Sequence, residues 1–120
     1  MIPAETALAF LGRLAEGEVD LAAALLAPDV RMIFPGGVEF RVLAELFAWS
    51  KPRYRRIAKV IARTDTAGNA VYVSGTLEGE WPDGEVFSGI RFIDRFEIEN
   101  GLIQRQEVWN DMAERRAGQP

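Results

Sequence analysis

A single carboxylate, Asp94, interrupts the most regular apolar pattern of the chain. Residues 90–98 read Ile-Arg-Phe-Ile-Asp-Arg-Phe-Glu-Ile, and this alternation predicts a β-strand with one face against the core. That face carries Asp94 among four apolar side chains, which are Ile90, Phe92, Phe96 and Ile98. A carboxylate among apolar groups is costly unless it is ion-paired, hydrogen-bonded or protonated. Asp94 is therefore the first candidate for a functional residue.

The composition removes several kinds of chemistry. The chain has no histidine and no cysteine, so it lacks the commonest general base, the thiol nucleophile and the usual zinc ligands. Acid–base chemistry is left to carboxylates, tyrosine and lysine. Because there is also no glycine-rich fingerprint, we expect neither a metal nor an organic cofactor.

Length and charge limit the organisation and the partners. A chain of 120 residues most often forms one domain, which we predict over residues 1–112, with a polar C-terminal tail at 113–120. The net charge of -4 argues against a nucleic-acid footprint. No stretch approaches the ~20 apolar residues of a membrane span. We expect a cytoplasmic protein with no membrane or nucleic-acid partner.

The hydrophobic period changes from helical to strand-like along the chain. Helices are predicted from Pro3 to Gly17, briefly after Asp20, and over 42–50. Strands are predicted over 30–34, 54–63, 71–81, 90–98 and 102–111. Segment 54–63 has apolar residues on both parities, which leaves its buried face open. Helices followed by a strand meander indicate an α+β fold with the helices on one face of the sheet.

The register of the last hairpin decides what surrounds Asp94. A two-residue turn at Asn100 and Gly101 sets Asp94 opposite Glu107, and a three-residue loop sets it opposite Gln106. We prefer the second register because it places the charged residues of both strands together on the other face. It predicts a cavity wall of Ile90, Phe92, Phe96 and Val108 with three polar groups, which are Asp94, Gln106 and Asn110. Such a mixture is typical of a small-molecule site.

Two segments resemble a known family. The run 10–17 followed by Asp20 to Asp29, and the run 92–96 that leads through Asn100-Gly101 to Val108-Trp109-Asn110-Asp111, are similar to the nuclear transport factor 2-like superfamily. The nearer relatives are its SnoaL-like and ketosteroid-isomerase-like branch. The resemblance implies a cone-shaped fold, with three N-terminal helices on a strongly curved, mostly antiparallel sheet that encloses an apolar pocket. It also implies a homodimer formed through the sheet.

The resemblance transfers only part of the family's chemistry. Asp94 falls on the oxyanion-hole aspartate of the isomerases, whereas their general base falls at Phe34 and their tyrosine at Phe10. The closing-strand aspartate of limonene-type epoxide hydrolases falls near Val108. SnoaL-type cyclases rely mainly on one sheet aspartate as an acid, a role that is open to Asp94.

Three functions remain as hypotheses. The first is a cofactor-independent isomerase, cyclase or lyase for a small apolar carbonyl or polycyclic substrate, with Asp94 as the catalytic group that donates a proton or hydrogen bond. The second is a non-catalytic binder of a small apolar molecule. The third is a dimeric protein-interaction module. The first two use one predicted set of substrate-binding residues, which are Gln106, Asn110, Val108, Phe92, Phe96, Ile90, Phe34 and Phe10.

Overall fold

The computed structural model describes residues 1–117, which adopt the predicted α+β fold. The helices are α1 (Pro3–Ala15), α2 (Val19–Ala23), α3 (Leu43–Ser50) and α4 (Met112–Ala117). The strands are β1 (Leu26–Phe34), β2 (Val38–Phe40), β3 (Arg56–Ala67), β4 (Ala70–Glu80), β5 (Val86–Glu99) and β6 (Leu102–Asn110). They form one six-stranded sheet in the order β2-β1-β6-β5-β4-β3. Every neighbouring pair is antiparallel except β1 and β6, which are parallel.

Helix α1 covers the concave face of the sheet. Pro3 begins the helix, and the Glu5 carboxylate accepts a hydrogen bond from the Ile2 backbone N–H at 2.9 Å, which satisfies a donor that the helix would leave free. The buried face of α1 consists of Thr6, Ala7, Phe10 and Leu11. Of these, Ala7, Phe10 and Leu11 join the core residues of β4, β5 and β6 in one hydrophobic cluster.

Two glycines let β3 and β4 approach closely enough for the sheet to curve. A methyl group on Gly75 would lie 2.0 Å from the carbonyl oxygen of Val60, and one on Gly79 would lie 2.0 Å from that of Arg56. The register of β3 against β4 shifts between Ile61 and Arg63, and such a bulge increases local twist. The curved sheet remains open because β2 and β3 form its free edges.

The strands begin and end differently from the prediction in several places. Strand β1 begins at Leu26 instead of at 30 and includes Pro28. This proline lies where the β1–β6 register shifts between Leu26 and Arg31, a position at which no ladder hydrogen bond is lost. Strand β2 was not predicted. Strand β3 continues to Ala67, through residues that the sequence predicts as a loop.

The last hairpin has neither of the two weighed registers. Asn100 and Gly101 both have positive φ, 52° and 74°, as a two-residue type I′ turn requires. A register shift follows, after which Asp94 pairs with Val108 and Phe96 with Gln106. The preferred pairing of Asp94 with Gln106 is therefore wrong by two residues. Side chains alternate between the two faces of a strand, so an error of two residues does not change the face. Gln106, Val108 and Asn110 therefore still share a face with Asp94.

The described chain ends in helix α4. Five residues of the predicted polar tail, 113–117, belong to this helix, and residues 118–120 lie outside the described part. Asn110 precedes the helix and its Oδ1 accepts a hydrogen bond from the Met112 backbone N–H at 3.1 Å. Within residues 1–117, no helix combines the length and apolar character needed to cross a membrane.

Candidate functional site

Asp94 points into the protein from the middle of β5. Its side chain is fully buried, and its neighbours across the sheet are Val73 on β4 and Val108 on β6. Phe92 and Phe96 flank it along the strand, and both are buried. The inward orientation predicted from the sequence is therefore confirmed.

Lys59 neutralises this carboxylate. The Lys59 Nζ atom donates a hydrogen bond to Asp94 Oδ2 and forms a salt bridge with it. Lys59 pairs with Leu77, whereas Asp94 pairs with Val73, so the lysine side chain runs diagonally across the sheet. On its way it passes Phe92, whose ring centroid lies 5.1 Å from Nζ. The ammonium group thus lies within cation–π distance of the ring and bonds to Asp94.

Gln106 completes the polar group on this face. It is buried, and its Nε2 atom lies 3.5 Å from Asp94 Oδ2. Within residues 1–117, neither Asp94 Oδ1 nor Gln106 Oε1 has a hydrogen-bond partner. Both atoms are acceptors, and buried acceptors without donors are costly. The arrangement therefore favours a ligand or water that supplies hydrogen-bond donors.

The electrostatic cost of this arrangement is high for a purely structural feature. Moving ions into a protein interior costs several kcal/mol per ion even after relaxation, and a buried pair often stabilises no better than hydrophobic side chains of the same size. Asp94 is fully buried, while the Lys59 side chain keeps 27% of its surface exposed. The lysine is thus the part of the pair that solvent or a small molecule can reach.

The other predicted site residues separate into three groups. Ile90 and Val108 are buried on the same face of the sheet as Asp94, and Phe10 is fully buried with its ring centroid 6.2 Å from that of Phe96. Phe34 packs away from them, edge-to-face with Phe40 and Trp49. Asn110 hydrogen-bonds to the start of α4. Of the three predicted polar groups, Asp94 and Gln106 lie together and Asn110 does not. Lys59 takes the third place in the group.

A surface cleft of about 720 Å³ lies beside α4, where the end of β6 meets the middle of β5. Its lining residues are Pro35, Gly36, Arg53, Arg91, Phe92, Ile93, Trp109, Asn110, Asp111, Ala113 and Glu114. Arg91 and Asp111 form an ion pair at 2.6 Å, and the hydrogen bond and charge of Asp111 raise the pKa of Arg91. Phe92 connects the cleft to the polar group because it also contacts Lys59.

A second cleft of about 480 Å³ lies near the β5–β6 turn, with Pro3, Gly68, Asn69, Ile98, Glu99 and Asn100 as its lining. Asp94 lines neither cleft.

Lys59 is the functional candidate that the sequence prediction missed. The strand over 54–63 was recognised, but its buried face was left open because apolar residues occur on both parities. A usable signal was present. Asp94 required a cationic partner, and Lys59 has isoleucines two positions away on both sides, at Ile57 and Ile61. That spacing places the lysine on the same face as the two isoleucines, which is one of the two faces that carry apolar residues.

Comparison with protein-family models identifies the family of the chain. The family model of the SnoaL-like domain matches residues 7–106, which is most of the chain. Comparison with curated protein sequences finds no match.

Solved structures confirm the fold at low sequence identity. A nuclear transport factor 2-like protein of unknown function from Burkholderia pseudomallei is 20% identical with a TM-score of 0.86, and the match covers 98% of this chain and 96% of that one. TerC co-crystallised with polyporic acid is 18% identical with a TM-score of 0.87, covering 98% and 97%. A protein assigned as a SnoaL-like polyketide cyclase from Jannaschia sp. is 17% identical with a TM-score of 0.82, covering 98% and 93%. The chain belongs to the SnoaL-like family, and its fold is similar to that of the nuclear transport factor 2-like protein.

Proposed function

We propose that this SnoaL-like chain is an enzyme for a small, largely apolar carbonyl compound, in which Asp94 moves a proton at the carbon next to the carbonyl group. The observation that carries the proposal is a buried carboxylate, ion-paired to Lys59, whose second oxygen has no donor within residues 1–117. That oxygen, Oδ1, is free to accept a proton. The aromatic rings of Phe92 and Phe96 beside it suit an apolar substrate.

Asp94 and Lys59 have different roles in this reaction: Asp94 is the base, and Lys59 stabilises the negative charge that forms on the substrate. When Asp94 removes a proton from carbon, negative charge develops on the substrate's carbonyl oxygen. The Lys59 ammonium group, already held at the carboxylate, stabilises such an enolate electrostatically without reorganising. Gln106 supplies a polar amide on the same face to orient the oxygen. A positioned general base of this kind contributes about 10²–10⁴-fold to a rate.

Two relatives support a small-molecule ligand in general terms. One is assigned as a polyketide cyclase, and another was crystallised with polyporic acid. Both share less than a quarter of their residues with this chain. At that identity they support the fold and, in general terms, a small-molecule ligand. The identity of the acting residues rests on the geometry around Asp94.

The test is a screen of apolar aldehydes and ketones in heavy water. NMR measures the exchange of the protons on the carbon next to the carbonyl group. We expect the wild-type protein to accelerate exchange and Asp94→Asn to reduce it by about a hundredfold or more, because the amide is no base. Asp65→Asn is the matched control, since Asp65 is an exposed carboxylate paired with Arg63. Full exchange activity in a folded Asp94→Asn protein would overturn the proposal.

A non-catalytic binder is the second candidate. The observation that favours it is the engagement of Asp94 Oδ2 by Lys59, together with phenylalanines at positions 10 and 34, where the resemblance places catalytic groups of the isomerases. A binder predicts that apolar ligands raise the melting temperature of both the wild-type and Asp94→Asn proteins. Ligand stabilisation without any proton exchange would select the binder.

We also propose a homodimer formed through the convex face of the sheet. Ile93 and Trp109 pair across β5 and β6 on that face, and they are 38% and 51% exposed. Around them Arg95 forms ion pairs with Glu97 at 3.2 Å and with Glu107 at 3.1 Å. An exposed aromatic anchor within charges that are already paired suits a self-complementary interface.

A further inference from the structure

We propose that Lys59 is a covalent catalytic residue that condenses with an aldehyde or ketone substrate to form an iminium ion. This inference rests on the proposed carbonyl substrate and deepens it, because it names the bond that the site forms. Lysine amines form such adducts with carbonyl compounds in enzymes. The structure places the only partnered amine of the described chain, Lys59 Nζ, directly at a buried carboxylate.

The condensation balances in atoms and charge with Asp94 as the proton carrier. Asp94 takes a proton from the Lys59 ammonium group, and the free amine then adds to the carbonyl carbon. One proton of the added amine passes to the carbonyl oxygen, which gives a neutral carbinolamine. Asp94 returns the proton to the carbinolamine oxygen, which leaves as water as the carbon–nitrogen double bond forms. An ammonium ion and a carbonyl compound thus give an iminium ion and water. The net charge on nitrogen is the same before and after.

This conservation of charge is the physical reason that the buried carboxylate suits the chemistry. Asp94 pairs with one positive charge when Lys59 is free and with one positive charge when the adduct has formed. In a low-dielectric surrounding an unpaired carboxylate is strongly disfavoured. At every step of the condensation, Asp94 is either protonated or paired with a positive charge on nitrogen. The iminium ion then withdraws electrons from the neighbouring carbon, so that Asp94 can remove its proton more easily.

The choice of lysine at this position points the same way. The chain contains twelve arginines and two lysines, Lys51 and Lys59. Arginine is the better residue for a purely electrostatic pair with a carboxylate, because its guanidinium binds both oxygens and stays charged. Here a single Nζ atom engages one oxygen and leaves Oδ1 without a donor in the described chain. A nucleophile, unlike a counter-ion, requires an amine that can lose its proton.

The lysine is also reachable. Its side chain is 27% exposed whereas Asp94 is wholly buried. The centroid of the Phe92 ring lies 5.1 Å from Nζ, and Phe92 is also one of the residues that line the 720 Å³ cleft, whereas Lys59 is not. A carbonyl compound that approaches from solvent therefore meets the amine before the carboxylate.

Reductive trapping tests the proposal. The protein is incubated with phenylacetone and sodium cyanoborohydride, digested, and mapped by mass spectrometry for reduced adducts. We expect adducts at Lys59 to form at least about tenfold faster than at the exposed Lys51, because only Lys59 has a proton carrier beside it. Propylbenzene, which has the same shape without the carbonyl group, is expected to slow labelling at Lys59 and leave Lys51 unaffected. Labelling in urea is expected to make the two lysines equal.

The Asp94→Asn variant separates a proton carrier from a mere counter-ion. We expect its Lys59 adducts to fall by at least about tenfold, with circular dichroism as the check on folding. A rise in Lys59 labelling would mean that Asp94 only holds the lysine charged, which overturns the proposal. Equal labelling of Lys59 and Lys51 in the folded wild-type protein also overturns it, and this comparison needs no variant.

The same probe distinguishes this inference from the proposed function. Phenylacetone has exchangeable protons next to its carbonyl group. Wild-type protein that accelerates their exchange but yields no trapped Lys59 retains the proposed proton transfer and excludes the covalent step. Protein that neither exchanges these protons nor is trapped excludes both for this ketone and for the class it represents.

Discussion

At the scale of single residues, Asp94 and Lys59 form an ion pair among apolar neighbours. Two apolar side chains at these positions would pack without the cost of removing charges from water. Their neighbours across the sheet, Val73 and Leu77, are both buried and apolar. A protein that needed only stability at this position would have little use for the pair. The stability of variants therefore reports whether the charges serve the fold.

The first prediction concerns that stability. Asp94→Asn is expected to lower the free energy of unfolding by about 3 kcal/mol, at the low end for a broken buried pair because Lys59 reaches solvent. Asp94→Leu combined with Lys59→Met is expected to be at least as stable as the wild-type protein. Urea denaturation measures both. A double variant as unstable as the single one would show that the pair supports the fold.

Phe10 allows a second prediction at this scale. Its ring is fully buried between α1 and the sheet and packs edge-to-face on Phe96. Phe10→Ala is expected to lower the free energy of unfolding by about 3–5 kcal/mol because a large cavity forms. Leu8 on the same helix is 38% exposed, and Leu8→Ala is the control, with a much smaller effect. Comparable losses for the two variants in thermal or chemical unfolding would contradict the packing.

The sequence predicted this site in part. An aspartate in an apolar stripe had to face the core, and Asp94 does. Its partner lies 35 residues away in sequence, on a strand whose pattern did not reveal a buried face. Long side chains such as lysine reach diagonally across strands, so the period of the pattern alone does not identify the pairs they form.

At the scale of elements, the closeness of β3 and β4 at Gly75 leads to a third prediction. Gly75→Ala places a methyl group 2.0 Å from the Val60 carbonyl oxygen, which the backbone must move to accommodate. We expect a clear fall in melting temperature and weaker protection of the β3 amides from hydrogen exchange. Unchanged stability would show that the strands separate freely there.

Gly12 provides the matched control for that variant. It lies inside α1, and a methyl group there would meet no other atom within 4 Å. Gly12→Ala is expected to raise the free energy of unfolding by about 0.5–1 kcal/mol because alanine favours a helix interior. The two substitutions are chemically identical, so opposite signs would isolate the effect of the close approach.

The elements were easier to predict than their boundaries. Helical and strand periods placed α1, α3, β4, β5 and β6 correctly. The register of the β5–β6 hairpin was wrong because a tight turn at Asn100 and Gly101 is followed by a register shift between Glu97 and Ile98. Turn residues predict the turn, but no residue type marks the extra residue of a bulge. The predicted faces are still correct because the observed partner of Asp94, Val108, lies two residues from the predicted partner, Gln106.

At the scale of the whole molecule, the convex face leads to a fourth prediction. If it forms a homodimer, Trp109→Glu is expected to yield monomers, because a charge replaces the exposed aromatic anchor. Sedimentation velocity measures the change, and circular dichroism checks that the fold persists, since Trp109 is not part of the core. A wild-type protein that sediments as a monomer would remove the proposal.

The overall architecture followed from the order of the elements. Helices that precede a meander of strands permit few arrangements, and the family model confirms the assignment. An enclosed pocket was expected as well, whereas the clefts that the structure shows lie at the surface beside α4 and near the β5–β6 turn. Side-chain packing decides such volumes, and residue type alone gives little information about it.

The parallel pairing of β1 with β6 has a consequence for how the chain folds. Strand β6, the last in sequence, lies between β1 and β5, so residues 26–40 have no neighbour to join the rest until residues 102–110 exist. A nascent chain that stops at residue 101 thus holds two separate sheet fragments, each with an open edge and an uncovered apolar surface. We expect such stalled chains to recruit chaperones, and the whole sheet to assemble in one late step after synthesis of the final strand.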